Sequence, residues 1–113
     1  MSDQSELIFD ALGDPVRRRI VELLRGGPTP VGALARQLPV GRPAVSKHLK
    51  VLTLAGLTEN HPVGTSNLYS LRPAGVRAAR GWLTETWDAV LDSYGAAARA
   101  DSRRPGDPGG RHG

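Results

Sequence analysis

At 113 residues the chain is long enough for one small domain, and a core of that size gains from sharing apolar surface with a second copy. With no cysteine it can hold no disulfide, thiolate metal site or cysteine nucleophile. The net charge is +4, and its placement matters more than its size: no Asp or Glu occurs between Glu22 and Glu59, while Arg25, Arg36, Arg42, Lys47 and Lys50 fall in that stretch. An acid-free basic centre suits a phosphate-facing surface.

Met1 to Glu6 is polar and has no apolar signal-peptide core. The longest apolar stretch, Val51 to Leu57, is too short to span a bilayer. The expectation is a soluble, cytoplasmic protein.

Asp3 to Leu12 reads as a first helix, with Asp3 and Glu6 at capping-box spacing and Leu7, Ile8, Ala11 and Leu12 on one side. Asp14-Pro15 then supplies an N-cap and a proline at the first helical position. Val16, Ile20, Leu23 and Leu24 form the apolar face of this second helix, and Gly26-Gly27 stops it. Arg17, Arg18 and Arg19 point in three directions, one expected to support the fold and one to reach phosphate; Arg18 and Glu22 are spaced to pair. Thr29-Pro30 repeats the cap-plus-proline signal for a short third helix carrying Leu34, Ala35 and Leu38.

Pro39-Val40-Gly41 makes a turn, and a fourth helix runs from Arg42 to about Ala55. Val45, Leu49 and Leu52 form its apolar face at i, i+4 and i+7. Leu57 to His61 and Leu68 to Leu71 read as strands of a β-hairpin joined through Pro62 to Asn67. Pro73 starts a long last helix to about Ala100, with a seam of Val76, Ala79, Leu83, Trp87, Val90, Tyr94 and Ala97. Residues 101–113, rich in Gly, Pro and Arg, read as a disordered tail behind a single 1–100 domain.

Two short helices, a tight turn, a further helix and a hairpin are the layout of a winged helix-turn-helix, mainly α with a small β-hairpin wing. With Val45, Leu49 and Leu52 facing the core, the outer side of the fourth helix carries Arg42, Pro43, Ser46, Lys47 and Lys50. Arg42, Ser46 and Lys47 suit base readout, and Lys50, farther along, suits phosphate. Thr65 and Ser66 at the hairpin tip can hydrogen-bond phosphate without adding charge. His48 reads as a buried hydrogen-bonder beside the turn, and His61 as a solvent-facing strand residue.

The runs Asp14-Pro15-Val16-Arg17-Arg18-Arg19-Ile20, Pro43-Ala44-Val45-Ser46-Lys47-His48-Leu49-Lys50-Val51-Leu52 and Ala55-Gly56-Leu57, with Tyr69-Ser70-Leu71, resemble the ArsR/SmtB family of bacterial repressors. Trp82-Leu83 and Trp87 in the last helix resemble its cysteine-free, SdpR-like subgroup. The resemblance implies a homodimer built through the first and last helices, with Leu7, Ile8, Leu83, Trp87, Val90 and Tyr94 at the interface. It also implies operator DNA as partner and DNA contact by Arg42, Pro43, Ser46 and Lys47.

No metal site or cofactor is expected: His48, His61 and His112 lie in separate elements, and Asp88 and Asp92 share helical spacing without a histidine beside them. No nucleophile motif, glycine-rich phosphate loop or paired-carboxylate motif points to an enzyme. The remaining alternatives are a metal- or small-molecule-responsive repressor with an unknown effector, and a winged-helix module that binds protein.

Overall fold

A computed structural model describes residues 3–101 of the chain, with side chains through Gly95. The order is α1 (Asp3–Ala11), α2 (Pro15–Leu24), β1 (Thr29–Pro30), α3 (Val31–Ala35), α4 (Arg42–Leu54), β2 (Thr58–Val63), β3 (Ser66–Leu71) and α5 (Pro73–Asp101). Two compact units result, one ending at Arg80 and the other beginning at Gly81. The tail expected after residue 101 lies outside the described residues.

The first unit is built around Ile8, Ala11, Ile20, Leu24, Leu34, Val45, Leu49, Leu52 and Leu57, all buried. The periodic positions of α2 and α4 therefore face inward as their spacing predicts. Full burial of a leucine such as Leu49 contributes roughly 1.5–3 kcal/mol. Asp14 caps α2 as expected: its carboxylate accepts the N–H groups of Val16 at 2.8 Å and Arg17 at 3.1 Å. At the other end of α4, Gly56 takes φ +84°. The Gly56 N–H reaches Thr53 O and the Leu57 N–H reaches Leu52 O, both at 3.0 Å, the double bond of a Schellman cap. Buried Thr58 is satisfied by the Thr53 hydroxyl at 2.8 Å.

Several expectations need correction. Thr29-Pro30 does not cap α3; it forms a strand, pairing Thr29 with Tyr69 and Pro30 with Leu68 to give a three-stranded sheet of order β1-β3-β2. The Thr29 hydroxyl donates instead to Gly27 O at 2.9 Å. Helix α3 ends at Ala35 rather than Leu38 because the N–H groups of Gln37 and Leu38 reach back only three residues, tightening the chain into turns. The hairpin connection is not six residues long. Register pairs Val63 with Ser66, leaving Gly64-Thr65 as a two-residue turn, with Gly64 at φ +60° as the primed hairpin turns require. Pro62 is accommodated because β2 is an edge strand.

The arginine run is also revised. Glu22 pairs with Arg19 at 3.2 Å rather than with Arg18. Arg18 donates to Leu12 O at 2.7 Å, and Arg17 to Ala11 O at 2.6 Å and Asp10 O at 3.4 Å. Both thus cover carbonyls at the end of α1: Arg18 takes Leu12 O and Arg17 takes Ala11 O, while Asp10 O also accepts the Gly13 N–H at 3.1 Å. Ile8, expected at a dimer interface, is fully buried in the protomer's own core and has no surface to offer, while Leu7 is half exposed. Ala79, placed on the long seam, is buried in the same core.

The second unit is the remainder of α5. It carries a row of exposed apolar side chains, Leu83, Trp87, Leu91 and Tyr94, with Trp87 64% and Tyr94 70% accessible. Leu91 is an addition to the predicted seam, and Val90 is partly buried. The side chain of Ala97 lies outside the described residues. Among the described residues, no helix is long and apolar enough to cross a membrane.

Candidate nucleic-acid interface

Helix α4 is held from behind by Val45, Leu49 and Leu52, each fully buried. Its outward side is fixed by that burial: Arg42, Pro43, Ser46, Lys47 and Lys50 are all exposed. One turn beyond Lys50, exposed Leu54 extends this surface with an apolar end. The N-cap is Gly41, which offers no side-chain hydrogen bond, so the first N–H groups of α4 have no cap from that residue. That end of the helix is positive and free of acidic side chains.

Arg42 is placed differently from Ser46 and Lys47. Its guanidinium leans over α3, where both Arg42 Nη1 and Arg36 Nη1 lie 3.8 Å from the position a side chain on Gly32 would occupy. The two cationic groups therefore lie within twice that distance of each other. Neither has an acidic partner among the described residues. The absence of a side chain at Gly32 leaves the space open. The sequence showed Arg36 as part of a basic stretch, but its meeting with Arg42 across two helices was not visible there.

The wing brings Thr65 to the turn and Ser66 to the start of β3, both exposed. His61 is exposed as expected, and its Nε2 lies 3.5 Å from Glu59 Oε2 on the same strand. The wing therefore presents hydroxyl groups at its tip. His48 is half-buried on the flank of α4, its Nδ1 3.3 Å from Arg17 Nη1. Among the described residues no three His, Asp or Glu side chains gather where they could hold a metal ion.

A helix-turn-helix domain family matches residues 12–61. The chain is 51% identical over 86 residues to the HTH-type transcriptional regulator Rv2034 of Mycobacterium tuberculosis, covering 76% of this chain and 80% of that protein. It is 33% identical over 76 residues to the transcriptional repressor SdpR of Bacillus subtilis, covering 67% and 84%. The chain belongs to the ArsR/SmtB family of winged helix-turn-helix regulators. A solved relative agrees in fold: the homodimeric winged helix-turn-helix DNA-binding domain of Mb0332 from Mycobacterium bovis, a possible ArsR-family regulator. It has 28% identity and a TM-score of 0.62 over 81% of this chain and 83% of that one. In this ArsR/SmtB member, α3 and α4 form the helix-turn-helix and β2–β3 the wing. Strand β1, which sequence periodicity did not reveal, ties the α2–α3 connection to the wing through β3.

Proposed function

We propose that this chain is a dimeric, cytoplasmic repressor that binds an inverted-repeat operator and excludes RNA polymerase by covering a promoter. The observation that supports this most is the outward face of α4: its back is locked into the core, its front is basic and exposed, and no acidic residue occurs between Glu22 and Glu59. In this reading Ser46 and Lys47 reach base edges from the N-terminal half of the helix, and Pro43 packs at the groove. Lys50 meets phosphate farther along. Arg42, leaning toward Arg36, grips backbone phosphate at the α3–α4 junction, where two guanidiniums converge without an acid. Thr65 and Ser66 add hydroxyl contacts from the wing.

The dimer is assigned to the exposed apolar row of α5 with Leu7 of α1. Two-fold symmetry then sets half-sites about one helical turn, roughly 10–10.5 bp, apart.

The test is a titration of the protein into labelled duplex from its own upstream region, beside a scrambled duplex, at near-physiological salt. At low salt electrostatic binding imitates recognition. Clear preference for the native duplex is the expected result; it establishes a specific DNA binder and supports autorepression. Equal weak binding to both removes autoregulation at that site and directs the search to a random-sequence pool. No binding to any duplex overturns the reading in favour of a protein-binding module.

A further inference from the structure

Arg17 occupies a junction between three helices. It starts in the first turn of α2, its Nε donates to Ala11 O at 2.6 Å and its Nη2 to Asp10 O at 3.4 Å, both at the end of α1. The remaining arm, Nη1, lies 3.3 Å from Nδ1 of His48, thirty-one residues later on α4. A guanidinium has donors only, in a rigid planar fork. His48 Nδ1 must therefore accept, and the ring proton sits on Nε2. The carbonyl end of α1 is the negative end of its dipole, so the cation is held there for its own reasons. His48 directly follows Lys47 and flanks the core-facing stripe of α4, so fixing its ring fixes the rotation of the helix about its axis.

We propose that Arg17 is a positioning residue for DNA recognition, a strap that ties the end of α1 to His48 and so sets the angle at which Ser46 and Lys47 face the groove. The proposal rests on the reading of α4 as the recognition helix. Burial of Val45, Leu49 and Leu52 decides which face of α4 looks outward, and the directional Arg17–His48 bond sets the fine angle of that face. A roll of the helix moves side chains on its outer face most. Loss of the strap therefore weakens discrimination between bases more than overall attraction to phosphate.

The experiment has two arms. Nitrogen-15 NMR of the His48 ring, with the imidazole neutral, is expected to show a single tautomer protonated on Nε2 in the wild type and a mixture in Arg17→Gln. A wild-type ring protonated on Nδ1 overturns the strap. In the second arm, an operator selected by the wild-type chain from a random-sequence pool is compared with a single-mismatch duplex by fluorescence anisotropy. His48→Leu, which leaves Arg17 its bonds to α1, is expected to lose roughly tenfold in operator preference. Its salt dependence should stay that of the wild type, and His48→Gln, which restores an acceptor, should recover the preference. An unchanged preference in His48→Leu overturns the positioning role. A wild type that selects no duplex overturns the DNA reading and the positioning role together, and the tautomer then stands or falls separately.

Discussion

Gly75 and Gly81 lie on the same helix, and a methyl group added to each meets opposite surroundings. At Gly75 it would fall 1.9 Å from Gly56 O and 2.8 Å from Gly56 C, so the first turn of α5 approaches the Schellman turn after α4 too closely for any side chain. At Gly81 nothing lies within 4 Å. Gly75→Ala should therefore lower the melting temperature sharply or abolish soluble expression. Gly81→Ala should stabilise by roughly 0.5–1 kcal/mol through helix propensity; circular dichroism melts of the two variants check both. Asp14 gives a prediction in pH. The Arg17 N–H bond, above all, holds its carboxyl below the ordinary carboxylate range; desolvation pushes the other way, and the Val16 N–H and the Arg17 charge add to the lowering. A lowered folded pKa means stability present above the unfolded value and lost as pH falls through the folded one. Asp14→Asn should accordingly show a shallower loss of melting temperature than wild type on acidification from roughly pH 5 toward pH 2. The Asp14 cap was legible in the sequence because capping is local. The Arg17–His48 bond was not, because its partners are thirty-one residues apart and meet only when α2 packs on α4.

Among elements, α4 was the most legible. Its apolar positions recur at helical spacing, and all three are fully buried, so its opposite face followed by geometry. The division of labour along that face can be measured. Lys47→Ala should reduce the ratio of operator to mismatched binding, with the loss concentrated at the base it reads. Lys50→Ala should weaken binding about equally to all duplexes and lower the salt slope by about one. A competition assay across salt concentrations distinguishes the two. The wing was half legible. Its strands were found from their composition, but Pro62 and the polar Thr58–Val63 run made the hairpin look shorter, and its turn longer, than pairing on an edge strand allows. Strand β1 was not legible at all. Two residues have no period, and Thr-Pro satisfies the local rule for a helix start equally well; only pairing with Leu68 and Tyr69 decides between them.

At the scale of the whole molecule, α5 exposes the apolar row Leu83, Trp87, Leu91 and Tyr94, which the proposed dimer assigns to a second copy. Trp87→Glu should yield a monomer in analytical ultracentrifugation and cost roughly a hundredfold or more in affinity for a two-half-site operator, since each reading head then binds alone. The same variant should bind a single half-site as the wild type does, which separates lost avidity from a damaged fold. Of the dimer surface expected from the chain, Ile8 went instead to the protomer's core. On a short helix Leu7 and Ile8 are adjacent in sequence, and hydrophobicity alone does not say which one the core takes. What the sequence determined by itself was whatever depends on neighbours within a turn or two: the α2 cap, the helical stripes of α2 and α4, the acid-free basic centre and the family motifs. Only the tertiary structure decided the contacts between distant segments. These are the strand Thr29-Pro30, the convergence of Arg36 and Arg42 over Gly32, the close approach at Gly75, and the bond from Arg17 to His48. Such contacts leave no period in the chain, because they arise from the packing of elements against one another.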